Sequence, residues 1–587
     1  MKLTYKRIAL SALLMVFRLI AIAQSANANY VKTEIFTTPS GSNNCINIDY
    51  FDKKGRLSQN LNNGSGNGNY VRTYYEYNNS GMLNRQSSLI DSQNDCSYKT
   101  SYNLTQESRD SYDEDEFAYT TLSYDGLGNL SSILGPGFDW YDDERSVNYD
   151  FLLNKANTIK HYTISEQDGI LIDKGEFYEK DKLKCQKRRD ENGHVKEVYF
   201  DELGRKVLER GIGEENHDTY YVYDKLNRLR YVLTPQYQKT PDVSLYTYQY
   251  SYDERNRIVS KILPGGIKTL FGYNSSDKLV IMQDAMLCTR SLYRVFMYDA
   301  LGRLCIQGTC SQDIHINGDN VIKYDSHSSG IAQTGYVCQE PCEFQDFELE
   351  EVRYYDNYDF LASSLFQNVG ISGKLNSKEQ VSDGNMTITE NITAQTKGLL
   401  TGQLQVCSSG EKLYHAHYYD HRGRLAESVG SYGADKSLLI AYDLNYTGLP
   451  ERSLSILNYR GTTHTFASKN SYHSATGKRI ESKLSIDGQP YQVTSKPVYD
   501  KLGRLVSHIQ GNASTNYKYN TRGWLRNIKS PGLDEELMYT YYEMNEGNDF
   551  FNGNLATAEF TLPNSMEKHH VEHNYDKLDR LTECIYY

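Results

Sequence analysis

The residues whose types and spacing could do chemistry fall into four groups. His569, His570 and His573 contain an i, i+4 pair that on a helix would offer two imidazoles to one zinc ion. They lie just before Tyr575, where a strand is expected, and the glutamate of a zinc protease is missing from its place. His415 and His417 alternate along a strand ending at Tyr419, so both rings share one side and read as a surface pair. Cys305, Cys310, Cys338 and Cys342 give a C-x4-C followed by a C-x3-C, a loose zinc spacing with no Cys-x2-Cys; a local disulfide or free buried thiols fit better. The run Asp113-Glu114-Asp115-Glu116 clusters carboxylates as a calcium loop does, but without the EF-hand pattern, and reads as a solvated loop. No phosphate-binding or dinucleotide fingerprint follows a strand and opens a helix. The expectation is therefore a non-enzyme with no catalytic residue, no metal and no cofactor.

The elements available to position side chains are strands. Tyr is 52 of 587 residues against two Trp, with 43 Gly beside it, a composition that favours pleated surface and turns over helix. No segment keeps a sustained helical period, and Leu245 to Tyr252 alternates Tyr as a strand does. Asn60 to Asn69 is rich in Gly, Asn and Ser and reads as a flexible loop. The net charge of -12 excludes a nucleic-acid binder, which needs a basic face to displace counterions.

At the N-terminus Lys2, Lys6 and Arg7 precede the apolar run Ile8 to Ala23 and then Ala26-Asn27-Ala28, the order of charge, apolar core and small-x-small site in a secretory signal peptide. Arg18 interrupts the run, which leaves open an uncleaved anchor as the one membrane attachment. The expected location is exported: periplasmic, cell-surface or extracellular.

One short string recurs along the chain, typified by Tyr298-Asp299-Ala300-Leu301-Gly302-Arg303-Leu304. Thirteen copies align on a leading aromatic residue. The next residue is Asp or Asn in all of them, including Asp201, Asp299, Asp420 and Asp500. Three positions on stands Gly at 55, 81, 128, 204, 302, 423, 503 and 523, Asn at 227 and 256, and Asp at 277, 359 and 579. Only these types tolerate a left-handed backbone cheaply, so the slot needs positive φ. The unit then reads as strand, type I turn with a left-handed bulge residue, and strand, its Asp accepting a backbone N–H two residues on. Lys or Arg follows the slot in nine copies, among them Arg205, Arg303, Arg424 and Arg504. It bonds turn carbonyls or the Asp of an adjacent unit, or stays solvated. The units at Tyr442 and Tyr472 have shifted glycines, Gly448 and Gly477, and should have longer turns. Starts at 200, 223, 252, 273 and 298 mean one supersecondary unit per repeat, stacked on its neighbours.

These residues resemble the YD repeat, and the chain is similar to Rhs-family proteins of the Bacteroidetes type. Longer strings add to the likeness: Tyr252 to Arg257 with Leu263-Pro264-Gly265, Thr396 to Gly402, and Tyr519 to Leu525 with Phe551 to Asn554. The resemblance implies an antiparallel β-strip that spirals into a hollow shell, as in insecticidal toxin complexes and teneurins, often around a C-terminal toxin released by self-cleavage at an Asp-containing core. No Asp-Pro dipeptide occurs here, so that core signature is missing, and the sequence reads as the front part of a longer protein or a shortened member.

The expected organisation is a signal peptide at 1–28, an N-terminal β region at 29–110, a first repeat array at 111–307, an irregular or inserted region at 308–401 and a second array at 402–587. The expected fold is all-β, a YD-repeat antiparallel strip curved and twisted into a partial, open shell. The expected function is a non-catalytic scaffold, structural, encapsulating or interacting, of an Rhs-type, polymorphic toxin-like system. The alternative is a cell-surface adhesin whose Tyr-rich face binds carbohydrate or protein. Expected partners are a protein or glycan at the cell surface, or a downstream Rhs core or toxin segment.

Overall fold

The computed structural model describes residues 28–587 apart from 42–43, 65–67, 214, 312–320, 339–345, 367–379, 383–385, 390–391, 434, 532, 539–549 and 562–566. The signal-peptide expectation and Cys342 lie outside the described residues. Strand makes up 53% of the described residues and helix 7%, so the fold is all-β as the Tyr, Gly and Asn content implies. Almost every strand pairs antiparallel with its neighbour in sequence, because each unit ends in a turn too tight for anything else. Among the described residues no helix is long and apolar enough to cross a membrane.

The chain divides into two compact units, described separately. One comprises Asp242–Asn470 with Lys483–Gln492. Its strip runs through Thr247–Tyr252, Ile258–Ile262, Thr269–Tyr273, Leu279–Gln283, Tyr293–Tyr298 and Leu304–Cys310. It continues through Glu348–Asp356, Thr396–Val406, Lys412–Tyr419, Leu425–Tyr432, Lys436–Leu444 and Pro450–Tyr459. Residues 357–366 leave the strip and pack across one face. Phe360 and Phe366, at 1% and 0% exposure, pack there on Tyr354, Leu404, Ala416 and Tyr418. Phe360 stacks on Tyr354 at 4.5 Å with the rings 11° apart, and the space it fills is one that a Cβ at Gly402 would occupy.

The other unit holds the chain up to Pro241, with Ser471–Ser482 and Val493–Tyr587. It too is a strip, from Asn29–Phe36 to Leu229–Leu233, resumed by Gln492–Tyr499 and ending in Lys568–Tyr575 paired with Leu581–Tyr586. A small hairpin, Thr163–Ile164 with Leu171–Ile172, lies outside the strip; Lys184–Arg189 pairs back with Ser146–Leu153 across it.

Several local expectations are corrected. Asn60 and Asn62, placed in a flexible loop by composition, belong to the strand Leu57–Asn62, where Asn60 bonds Asn47 and Asp49 across the pair. Leu245 and Tyr246 close a short helix, Val243–Tyr246, instead of opening a strand. The Asp242 side chain caps its first N–H groups and outweighs the alternating Tyr pattern until Thr247.

Phe360→Ala is expected to cost about 3–5 kcal/mol in denaturant unfolding, since the cavity would be walled by a strip that cannot collapse into it; a loss below 1 kcal/mol would mean that this face is not a core.

Candidate functional site

The recurrent turn is a clasp whose bonds repeat at most units. At Asp299, the Asp299 N–H donates to Arg303 O at 3.0 Å and the Gly302 N–H to Asp299 O at 2.9 Å, closing the turn. Oδ1 of Asp299 accepts the N–H groups of Leu301 and Arg303 at 3.0 and 2.9 Å, and Oδ2 accepts Arg303 Nε at 2.7 Å. Gly302 carries φ 73°, the left-handed conformation that closes the bulge. The same set recurs at Asp201, Gly204 and Arg205, at Asp420, Gly423 and Arg424, and at Asp500, Gly503 and Arg504.

The clasp also reaches its neighbour. The Tyr298 hydroxyl donates to Leu279 O at 2.8 Å, in the unit before. Tyr77, Tyr124, Tyr223, Tyr273, Tyr355 and Tyr519 do the same to Leu57, Leu83, Lys206, Ile258, Leu304 and Leu505. The arginine lies over the next unit's Tyr, Arg303 over Tyr355 at 4.5 Å and Arg205 over Tyr223 at 5.0 Å. It then bonds the next turn, Arg205 to Asn227 at 2.8 Å and Arg424 to Asn445 O at 2.6 Å. Its constant partner, the Asp of its own turn, was not among the fates left open by sequence; the carbonyl and the Asp or Asn of the adjacent unit are added to it because the guanidinium fork can serve two turns at once.

Not every aligned copy is a clasp. Asp359 begins a 3-10 turn, Asp359–Ala362, and it is Asp356 that has φ 73°. There the chain leaves the strip, and Arg303 holds Asp356 with both guanidinium nitrogens at 2.9 and 2.6 Å. That pair holds the Asp356 carboxyl below the usual range. The unit assigned to Tyr442 is shifted by two: Asn445 accepts the Gly448 and Leu449 N–H groups, so Leu444 takes the aromatic place and the turn is not longer. At Tyr472 the turn is longer, Gly477 N–H reaching His473 O. Two turns with the clasp's backbone bonds escape the pattern: Asp190 to His194, whose leading residue Arg189 is not aromatic, and Cys407 to Glu411, which follows Val406 and has Cys in place of the Asp.

The other candidate groups are dispersed. His569, His570 and His573 lie on the strand Lys568–Tyr575; His569 meets Tyr586 and Phe560, while His570 turns its two nitrogens to different carboxylates, Glu559 and Glu572. His415 and His417 are half-buried and 6.2 Å apart; burial pushes both imidazoles below their ordinary value, which corrects the surface reading. Cys305 and Cys310 are buried thiols outside any disulfide and Cys338 is disulfide-bonded, so these three do not form a zinc set. The acidic run is an ordered corner: Glu116 pairs with Arg109, and Asp115 accepts from the N–H groups of Phe117 and Phe138 and from Thr521. It lines a cleft of about 340 Å³ with Tyr112, Trp140, Arg504 and Arg526.

Within this same unit, turns of the C-terminal strip rest on earlier ones. Arg522 lies over Trp140 at 3.9 Å, bonds Pro136 O at 3.0 Å and approaches Glu191 at 3.2 Å; burial pulls its guanidinium down from its ordinary value. Trp140 Nε1 donates to Phe551 O at 2.8 Å, and the Phe551 N–H to Asn192 at 2.6 Å. No sequence pattern pointed to this seam, whose partners stand hundreds of positions apart; the two tryptophans, Trp140 and Trp524, edge to face at 5.5 Å, were its one compositional trace.

No protein-family model matches the sequence and no curated protein does. Solved structures do. The crystal structure of TcdB2-TccC3 superposes with a TM-score of 0.60 at 11% identity, over 94% of this chain and 24% of that one. TcdB2-TccC3-TEV gives 0.59 at 12% identity, over 97% and 25%. This chain thus spans about a quarter of the length of those chains. The likeness shows the fold, an Rhs-like, YD-repeat β-strip, as the turn motif implied.

Two outcomes check the clasp. Gly302→Val is expected to lose roughly 1–3 kcal/mol by forcing a β-branched residue to positive φ; an unchanged melting temperature would refute the turn. For Asp224, Asp253 and Asp420, burial pulls the carboxyls up, but Arg N–H and guanidinium donors outweigh it and hold them below 3.8. Lowered folded values give stability that is present above 3.8 and lost as pH falls toward the folded values, so the thermal midpoint should drop in that acid window. A midpoint that is flat there would show that the clasps contribute nothing.

Proposed function

We propose that the chain is a non-catalytic structural scaffold of an Rhs-type system, which encloses or carries a polypeptide passenger such as a toxin segment, in an exported setting. The observation that carries this reading is the engagement of the repeat: each clasp carboxylate takes two backbone N–H groups on one oxygen and, where an Arg follows the slot, a guanidinium on the other, so the recurrent Asp is held in the turn rather than presented for proton transfer or nucleophilic work. The fold shared with TcdB2-TccC3 supports it. The adhesin reading loses ground for a related reason. Among the described residues only Tyr459, Tyr586 and Tyr587 are more than about a third exposed, so most rings are engaged in the strip.

A fluorescent, reduced and carboxymethylated polypeptide should bind the purified protein and be cut more slowly by trypsin in its presence. Equal cleavage with and without the protein defeats the passenger reading, and turnover in a panel of esterase, glycosidase, phosphatase and peptidase substrates, abolished by one Asp→Asn change outside the clasps, overturns the non-enzyme reading.

A further inference from the structure

We propose that Asp190, His194 and Asp579 form a divalent transition-metal site that fastens the turn at 190–194 to the turn at 576–580. The one ligand atom offered by each lies within 4.8 Å of the other two, the sole such His/Cys/Asp/Glu group among the described residues. His194 Nδ1 is 3.3 Å from Asp190 Oδ2 and 2.9 Å from Asp579 Oδ1. Yet Nδ1 is buried and makes no hydrogen bond to either: the distances are short but the angles are wrong. That is the geometry of ligands aimed at a common centre. A cation about 2.1 Å from each of three ligand atoms sets their mutual spacings at about 3.0–3.4 Å.

The surroundings orient the ligands. Asp190 Oδ1 is fixed by the Asn192 and His194 N–H groups at 3.0 and 2.7 Å, which leaves Oδ2 toward the imidazole. Asp579 Oδ1 accepts Asn552 Nδ2 at 2.7 Å and Asn554 Nδ2 at 3.0 Å, second partners of the kind that hold a ligating carboxylate in place. A buried carboxylate, Asp190, brought close to a second, exposed one, Asp579, is stabilised by a positive charge between them. At the equivalent slot of another unit, Asp277 finds it in Arg257 at 2.7 Å; Asp579 has an imidazole instead. One imidazole with two carboxylates suits Mn²⁺ or Zn²⁺ better than Ca²⁺, which takes oxygen ligands alone. By contrast, the trio of His570, Glu559 and Glu572 does not converge, since its carboxylates meet opposite ring nitrogens.

Mn²⁺ is the probe to use, because free thiols such as Cys288 and Cys584 would capture Zn²⁺. Titration of chelator-stripped protein, followed by loss of the free Mn²⁺ paramagnetic resonance signal, should give one site per chain and raise the melting temperature. Asp579→Asn, which keeps a residue type that already fills the same slot at Asn227 and Asn256, and His194→Gln should each weaken binding at least tenfold with the β circular dichroism unchanged. No binding, or affinity equal in wild type and both variants, which would mean an adventitious ion only, overturns the site.

Discussion

One carboxylate per turn, accepting two backbone N–H groups on one oxygen and, in the full form, an arginine on the other, is the contact from which the strip is built. The backbone of a two-strand unit must reverse direction through a left-handed residue, a conformation that strains most side chains. The Asp side chain stabilises that reversal locally, and its arginine carries the constraint outward, across the ring of the next Tyr to the next turn. An isolated exposed ion pair contributes little. Here the pair also aligns a hydrogen bond from the following Tyr hydroxyl to the carbonyl beside the arginine, so register passes from unit to unit.

Such a ladder accounts for two features of composition that otherwise look like chemistry in waiting. The abundance of Asp beside Arg is spent on turns, and the abundance of Tyr is spent on linking them. Where a clasp is modified, something else happens in the fold. At Asp356 the turn is replaced by a departure of the chain, and the freed carboxylate takes Arg303 in a bidentate pair. At Asn520 the cation position is Trp524, and Arg522 reaches instead to Trp140 and Glu191. The interesting surfaces are thus the exceptions to the repeat.

The motif was legible because its constraint is local: an aromatic residue, Asp or Asn, and a left-handed residue at fixed offsets define a hairpin without reference to anything distant. Asp190 was missed because its aromatic lead is absent, and Cys407 because it lacks both that lead and the Asp, although the backbone bonds of the two turns are the same. Asp359 was overread, since an isolated Asp satisfies the pattern in a helical turn as well as in a bulge. Tyr442 misled because a Tyr two residues upstream imitated the lead that Leu444 supplies. The spacing of His569 and His573 carried no information about a site, because they lie on an extended strand, where residues four apart do not converge as they do on a helix or in a tight turn.

By itself, then, the sequence determined the all-β class, the hairpin unit, its left-handed slot and the antiparallel order of most strands, all of which follow from φ preferences and hydrogen bonds within a few residues. Only the tertiary structure decided where the chain leaves the strip after Asp356, how Phe360 covers Tyr354, and that Trp140 meets Phe551 and His194 meets Asp579. Those contacts join residues tens to hundreds of positions apart. Their formation depends on the accumulated twist and register of many units, a sum that no short window of sequence contains.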